Sequence, residues 1–374
     1  MNGQHYRVCN KTFTNYYSAL LETKRTGQFA EFVLPDVHLD AIKSVNLDEI
    51  KQATNKSLMT KKLLHLKDIY GKLRLHYSGG SDSQTILDIA DRAGIVWDSV
   101  FMWLTNTTGD FTTDDREFAG AYEFIKQNKH LYRDLEIYRF SERDYEVWFD
   151  QDVPQKYTDF YQGFRPTWDQ IYARDLDNSV LNVQGAEKPV LYKTQSSYYW
   201  IQTDMVDSNL TINTCDFFQD SIFPKLAVKQ AYSAKDYFEN LFPDRTGWLG
   251  FQKDPDFKNI SKYLGLSDPV EEWLKTNKAD DPNRIGGHNN KSHLAIKNIQ
   301  ELGRQDIVDA YLSTSEHFIR TFKDIPHGIH TDNIYIQGIG PVTIGNRVLR
   351  IGAIFQLNDS SLELLPHTDI NLLT

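Results

Sequence analysis

Cysteine is scarce in this chain. Only Cys9 and Cys215 occur among 374 residues, and they lie far apart in the sequence. With no Cys-x-x-Cys pair, neither a four-cysteine structural zinc site nor a relay through a cysteine pair can form. The two thiols either join in one disulfide or stay as buried free thiols in a reducing compartment, and we expect the second.

Long apolar runs and an excess of positive charge are also lacking. The longest apolar stretches fall far short of the ~20 residues that a membrane-spanning helix needs, and residues 1–5 lack the pattern of a signal peptide. The formal net charge is −10, so no general surplus of lysine and arginine is available to neutralise a phosphate backbone. We expect a cytoplasmic protein without membrane association or sequence-independent nucleic-acid binding.

The composition present is that of a packed protein, with 40% hydrophobic and 25% charged residues, and the length suggests two or three domains. Residues 1–70 mix helix and strand patterns, which predicts a small N-terminal α+β cap. Residues 71–245 alternate strands with helices, which predicts an α/β domain with a parallel, Rossmann-like sheet. Residues 246–374 read as a mostly helical region that ends in a β-hairpin over residues 333–356, with its turn near Gly345 and Asn346.

Within the central domain the pattern predicts strands over residues 73–77, 99–105, 135–140 and 179–184. Helices are predicted over residues 84–93, 114–128 and 141–150. Gly94 follows the first of these helices and is the expected stop signal.

The segment richest in chemistry joins the first of these strands to the first helix: Ser78, Gly79, Gly80, Ser81, Asp82 and Ser83. Its two glycines permit positive φ and a close backbone approach to a ligand. A turn that leads directly into a helix directs several N–H groups and the helix dipole at one point, which suits an anion. The serines add hydroxyl donors, and the carboxylate can reach a magnesium ion on the same phosphates. The alternative is a serine-glycine turn that only starts a helix.

This hexapeptide, SGGSDS, resembles the PP-loop signature SGGxDS of the N-type ATP pyrophosphatases, such as the asparagine, GMP, NAD and tRNA-lysidine synthetases. The resemblance covers residues 71–240 and implies a Rossmann-like sheet, with ATP and Mg²⁺ as cofactors. It implies that the β,γ-pyrophosphate is held by Ser78, Gly79, Gly80, Ser81 and Ser83. It also implies that an acceptor oxygen attacks the α phosphate, so that AMP stays on the acceptor and pyrophosphate leaves.

A second stretch, Gly185-Ala186-Glu187-Lys188-Pro189, resembles the Gly-small-Asp-Glu sequence that follows the corresponding strand in asparagine synthetases. The resemblance implies that Gly185 lines the ATP site, that Glu187 joins Asp82 as a magnesium ligand, and that Lys188 pairs with a phosphate. Asp82, Glu187 and Lys188 are therefore the predicted catalytic set. The alternative is an ordinary strand exit with solvated charges.

Three more residues are implicated less directly. In the family, backbone groups at the end of the second strand hold adenine, which here implies Leu104. Lys225 and Lys229 lie one helical turn apart and either reach the polyphosphate or are solvated surface lysines. Taken with the cap, YSGGSDS and GAEKP, the stretch PKLAVKQA is similar to the asparagine-synthetase-like ATPases of tailed bacteriophages. That similarity implies a phage-encoded protein in the host cytoplasm.

One departure from the family affects the reaction. Gln184 stands where asparagine synthetases carry a glutamate that is thought to act as a base on ammonia, and an amide cannot accept a proton at neutral pH. The sequence therefore predicts an adenylating ligase whose acceptor, a carboxylate or amide oxygen, is unidentified. A separate amine donor and homo-oligomerisation are left open. The alternative is a nucleotide-binding module with a structural role in a viral or multi-subunit assembly.

Overall fold

The computed structural model describes residues 5–28, 30–104, 116–139, 141–150, 179–185, 189–203, 214–220, 222–249, 257–268, 270, 296, 299–322, 330–336, 340–347 and 351–366. The strands are β1 (His5–Val8), β2 (Lys11–Phe13), β3 (Glu31–Val33), β4 (Lys72–His76), β5 (Trp97–Leu104), β6 (Tyr132–Arg139), β7 (Val180–Gln184), β8 (Val190–Lys193), β9 (Tyr198–Thr203), β10 (Thr214–Asp216), β11 (Gly247–Leu249), β12 (His330–Ile336), β13 (Gly340–Arg347), β14 (Ile351–Leu357) and β15 (Leu362–Leu365). The helices are α1 (Tyr16–Thr26), α2 (Asp36–Lys43), α3 (Leu47–Gln52), α4 (Asn55–Tyr70), α5 (Ser81–Arg92), α6 (Arg116–Gln127), α7 (Glu142–Asp150), α8 (Pro224–Leu241), α9 (Phe257–Tyr263) and α10 (Gln305–Phe322), with a 3₁₀ turn at Lys129–Leu131.

Five strands form an all-parallel sheet in the order β10-β7-β4-β5-β6. The chain starts this sheet at its centre with β4, adds β5 and β6 on one side, and then crosses to β7 and β10 on the other. Helices α5 and α6 lie in the connections between parallel neighbours, as such crossovers require. The predicted α/β class with a parallel sheet is confirmed, and the strand order is consistent with a Rossmann-like fold.

The two faces of the central strand β4 differ in polarity. Leu73 and Leu75 are fully buried on one face, where they join a hydrophobic core that includes Leu63 and Leu66 of α4 and Ile86 of α5. Each large apolar side chain buried in this way contributes roughly 1.5–3 kcal/mol relative to exposure. The opposite face of the same strand is polar.

Helix α5 ends where the sequence predicts. Gly94 has φ +67°, its N–H donates to the carbonyl of Asp91 at 3.0 Å, and the N–H of Ile95 donates to the carbonyl of Ala90 at 2.9 Å. These two bonds form a Schellman motif, in which a glycine with left-handed backbone closes the helix. The helix begins at Ser81, three residues before the predicted start, because its first turn belongs to the SGGSDS segment.

A second sheet crosses the predicted domain boundaries. Its order is β11-β8-β9-β14-β3-β1-β2, and β15 pairs with β14. In β14, Ile351 pairs with Glu31 of β3 and Ile354 pairs with Ile201 of β9. The division at residues 70 and 245 stays a prediction, but strands from all three predicted segments meet in this one sheet.

The turn predicted for the C-terminal hairpin, near Gly345 and Asn346, was wrong. Among the residues that the structure describes from position 330 onward, two antiparallel pairs of consecutive strands are present: β12 pairs with β13, and β14 pairs with β15. Gly345 does not turn the chain but pairs with Thr331 inside β13, next to a register shift that leaves Asn346 as an extra residue. Glycine is common both at β-bulges within strands and at turns between them, so the sequence did not distinguish the two.

Two smaller expectations can also be compared with the structure. Both cysteines are free, but Cys9 is exposed and only Cys215 is buried, so the expected burial of both thiols was wrong. Among the helices in the described part of the chain, none combines the length and apolar character needed to cross a bilayer.

Candidate functional site

The candidate site lies where β4 and β7 end, side by side. His76 and Gln184 form the last register pair of these two strands. The chain leaves β4 toward β5 on one side of the sheet, whereas β7 lies on the other side, so the strand order reverses between them. In open α/β sheets a ligand crevice forms at this position, outside the carboxyl ends of the strands. Both segments that the sequence singles out begin at this edge.

The loop after β4 needs glycine for its shape and for its packing. Gly79 has φ +75°, and a Cβ added there would lie 2.6 Å from the Cβ of Ala121 on α6. Gly80 is the N-cap of α5 with φ −71° and ψ 163°. Since glycine has no side chain, it does not cap the amides of the first helical turn. A helix N-terminus of this kind presents N–H groups and positive dipole to an anion.

The loop serines hold this turn in shape. The Oγ atoms of Ser78 and Ser83 lie 3.3 Å apart, and Ser83 Oγ accepts a hydrogen bond from the Ser78 N–H at 3.2 Å. Ser83 Oγ also donates to the carbonyl oxygen of Gly80 at 3.2 Å. Ser81 and Asp82, both half-buried, open the first turn of α5. The predicted loop residues therefore form one compact βα turn.

Gly185 brings the second predicted segment against the first. A Cβ on Gly185 would lie 2.8 Å from Asp82 Cβ, 2.9 Å from the Asp82 carbonyl carbon and 3.0 Å from the Ser83 nitrogen. The exit of β7 therefore rests directly on the first turn of α5. Glu187 and Lys188 lie outside the described residues. No cluster of three or more potential metal-ligating side chains occurs within the described ranges, so the Asp82–Glu187 magnesium pair stays a prediction.

The remaining predicted residues are Leu104, which lies on β5, and Lys225 and Lys229, which lie on α8. Leu104 ends β5 and pairs with Arg139 of β6, which puts its backbone at the carboxyl edge of the sheet. Lys225, at the start of α8, contacts Glu49 of α3 with 2.7 Å between Nζ and Oε2, and this contact lowers the pKa of Glu49. Burial lowers the pKa of the half-buried Lys229. Lys225 therefore forms a surface ion pair in this structure, which is closer to the alternative of a solvated surface lysine than to a contact with polyphosphate.

A row of buried polar side chains on one face of the sheet was missed by the sequence reasoning. Gln184 Nε2 donates to Asp216 Oδ1 at 2.6 Å, and His76 Nε2 lies 3.2 Å from Asn182 Oδ1. Arg74 Nη1 also donates to Asn182 Oδ1, at 3.3 Å. Burial lowers the pKa of His76 to about 4, so its ring is neutral at pH 7.

A signal for this row was present in the sequence. Arg74 and His76 stand two residues apart in β4, as Asn182 and Gln184 do in β7, and each pair alternates with buried leucine or valine residues. Alternation places such pairs on one face of a sheet. This face borders the candidate site because its last members end their strands at the same edge.

Comparison of the chain with models of known protein families and with curated proteins gives no match.

Proposed function

We propose that this chain is a magnesium-dependent enzyme that binds ATP at the carboxyl edge of the parallel sheet and transfers AMP to an acceptor. The observation that carries the proposal is the placement of residues 78–83 at the strand-order reversal, with Gly185 packed on their helix. Ligands of open α/β sheets bind at this position, and an uncapped helix N-terminus suits phosphate. The resemblance to the PP-loop family selects ATP and cleavage between its α and β phosphates.

The residues of the loop fit this substrate. Gly80, which leaves the first turn of α5 without a side-chain cap, allows phosphate oxygens to approach the backbone, and the hydroxyl groups of Ser78 and Ser81 supply further donors. Gly79 and Ser83 would hold the shape of the loop, since Gly79 packs on Ala121 and the Ser83 hydroxyl donates to the Gly80 carbonyl oxygen. The carboxylate of Asp82 is a hard oxygen ligand of the kind that Mg²⁺ prefers. When bound, Mg²⁺ would neutralise charge on the phosphate oxygens. Glu187 would supply a second carboxylate, and Lys188 a positive charge.

The proposed reaction is a nucleotidyl transfer. A carboxylate or amide oxygen of the acceptor forms a bond to the α phosphorus, the bond from that phosphorus to the bridging oxygen breaks, and pyrophosphate leaves. The protein contributes mainly positioning and electrostatic stabilisation. Asparagine synthesis is left out of the proposal, since Gln184 donates its amide hydrogen to Asp216 and cannot serve as a base.

The contact of Gln184 with Asp216 also favours a second candidate function, that of a nucleotide-binding module without turnover. A buried amide tied to a neighbouring strand stabilises the sheet and needs no reaction. This candidate predicts ATP binding without release of AMP.

A labelled-product assay separates the two candidates. The full chain is incubated with Mg²⁺, ATP labelled at the α and γ positions, and a panel of carboxylic acids and amides. We expect AMP and pyrophosphate, with turnover lowered by roughly 100-fold or more in Asp82→Asn, the scale of losing one group that stabilises the transition state. Asp91→Asn, near the other end of α5, is the matched control and should keep full turnover.

Other products would contradict the proposal. ADP and phosphate would exclude cleavage between the α and β phosphates. Binding of ATP that Ser78→Ala weakens, without any product, would support the module. Absence of ATP binding would contradict both candidates.

A further inference from the structure

The chain segment after α9 contacts residues 78–83, which we call the phosphate loop, although the two are far apart in the sequence. Helix α9 ends in a Schellman motif: Gly265 has φ +80°, its N–H donates to the Lys262 carbonyl at 2.9 Å, and the N–H of Leu266 donates to the Ser261 carbonyl at 3.0 Å. Leu264 and Leu266 are buried in the main core. This turn directs the following residues onto α5. We call residues 264–268 together with Val270 the strap.

The strap contacts the loop and the first turns of α5. The N–H of Val270 donates to the carbonyl oxygen of Gly79 at 3.1 Å, at the residue with positive φ. The N–H of Ser267 donates to Thr85 Oγ1 at 2.7 Å, and Thr85 Oγ1 donates in turn to the carbonyl oxygen of Ser81 at 2.6 Å. A hydrogen-bonded path therefore runs from the strap to Ser81.

A second path runs from Ser267 to the start of the loop. Ser267 Oγ donates to Asp88 Oδ2 at 2.6 Å, and Gln84 Nε2 donates to Asp88 Oδ1 at 2.7 Å. The hydroxyl of Tyr77 donates to Gln84 Oε1 at 2.6 Å. Burial raises the pKa of Tyr77, so its phenol keeps the hydrogen that this bond needs. Tyr77 directly precedes Ser78, so the path ends on the loop.

We propose that the strap is a positioning element for the phosphate loop and that Ser267 is its central positioning residue. The inference rests on the proposed function, because it assigns the loop a bound phosphate chain. A loop already held in its binding conformation loses less conformational freedom when the ligand arrives. The affinity of the loop for phosphate thus depends on a segment nearly two hundred residues later in the chain.

Binding measurements on the full chain test this inference. Calorimetric titration with Mg-ATP and with Mg-pyrophosphate is compared between wild type and Ser267→Ala. We expect the Kd for both ligands to rise about twofold to tenfold in Ser267→Ala, the scale of the one modest hydrogen bond, from Ser267 Oγ to Asp88, that this change removes. Ser267→Thr, which keeps the hydroxyl, should restore most of the affinity. When Asp88→Asn and Ser267→Ala are combined, their effects on Kd should be less than additive, since both changes break the same hydrogen-bonded path.

The control is a serine that joins two helices elsewhere. Ser233 Oγ on α8 accepts from Asn55 Nδ2 on α4 at 3.2 Å. Ser233→Ala should lower stability to a similar degree and leave both Kd values unchanged. Hydrogen exchange of the peptide around residues 77–84 is recorded without ligand, and it should quicken in Ser267→Ala and stay unchanged in Ser233→Ala.

The outcomes separate the two proposals. If wild type binds ATP and Ser267→Ala binds it equally well with unchanged exchange, the strap inference is overturned and the proposed function stands. If wild type binds neither ligand but exchange quickens in Ser267→Ala, the proposed function is overturned and the positioning of the loop by the strap stands. Equal effects of Ser267→Ala and Ser233→Ala on Kd would reduce Ser267 to a general stabilising role and overturn the inference.

Discussion

At the scale of single residues, the site depends on glycines whose missing side chains let two segments meet. Gly79 combines positive φ with close contact to α6, and Gly185 places the exit of β7 against the backbone of Asp82 and Ser83. The atoms next to Gly185 are backbone and a Cβ, which cannot move aside as the end of a flexible side chain can. Substitution there should therefore disturb the loop itself.

We predict that Gly185→Ala lowers the free energy of unfolding by about 1–3 kcal/mol, the usual cost of overpacking, and weakens Mg-ATP binding. The matched control is Gly94→Ala. Gly94 also has positive φ, but a Cβ there would meet nothing within 4 Å, so this change should cost only about 1 kcal/mol of backbone strain and leave binding unchanged. Urea denaturation and calorimetric titration measure both effects. A Gly185→Ala protein as stable as wild type would contradict the packing argument.

We also predict a pH dependence of stability from His76. Burial lowers its folded-state pKa to about 4, whereas the unfolded value is about 6.5. Between these two pKa values the unfolded chain binds the proton more readily than the folded chain does. The contribution of the neutral His76 ring to the free energy of unfolding is therefore complete above about pH 6.5 and is lost as the pH falls. His76→Gln keeps a hydrogen-bond donor but does not titrate. Between pH 7.5 and pH 5 the free energy of unfolding should drop by about 2 kcal/mol less in this variant than in wild type. Urea denaturation at the two pH values measures the difference, and equal drops would contradict the prediction.

At the scale of secondary-structure elements, one buried ion pair joins α4 to the connection between β10 and α8. Lys62 Nζ lies 2.9 Å from Asp220 Oδ1, and both side chains are buried. The Cys215 thiol donates to Asp220 Oδ2 at 2.5 Å, while the N–H of Ile222 donates to Asp220 Oδ1 at 3.0 Å. Burial raises the pKa of Cys215, so the thiol stays a donor.

We predict that Lys62→Met lowers the free energy of unfolding by about 3–5 kcal/mol, because it leaves the Asp220 carboxylate buried without its cation. Lys225→Met is the matched control, since Lys225 and Glu49 form an exposed pair of the kind that contributes about 0–1 kcal/mol. Chemical denaturation of the two variants measures the contrast. Similar losses in both would show that burial of the Lys62 pair is not what stabilises this connection.

At the scale of the whole molecule, the larger sheet joins the ends of the chain to its middle. Strand β14 lies between β9 and β3, and the rings of Phe355 and Trp200 stack with centroids 5.3 Å apart. Phe355 belongs to the same core as Leu63 of α4 and Ile86 of α5. The parallel sheet thus shares its core with α4, from the predicted N-terminal segment, and with β14, from the predicted C-terminal one.

We therefore predict that a fragment of residues 71–245 does not fold alone, although the sequence suggests it as a domain. The fragment would lack α4, which covers the parallel sheet, and would leave β9 with an unpaired edge, which favours aggregation. Thermal unfolding followed by circular dichroism should be cooperative for the full chain and not for the fragment. A cooperative transition in the fragment would support the boundaries at residues 70 and 245.

The sequence by itself determined the features that depend on short stretches of chain. The strand before SGGSDS, the two glycines of the loop and the stop at Gly94 all follow from alternation of apolar residues and from backbone sterics. These act between residues close in sequence, and the structure agrees with them. The sequence pattern also indicated that Gly185 ends a strand of the same sheet.

Only the tertiary structure decided which distant segments meet. The contact of Gly185 with Asp82, the approach of Val270 to Gly79 and the pairing of Lys225 with Glu49 join residues that no local pattern relates. The bulge at Asn346 was mistaken for a turn because glycine and asparagine suit both. Strand alternation fixes which residues share a face, but partner strands are chosen by burial of the whole core, and that choice is made between segments far apart in the chain.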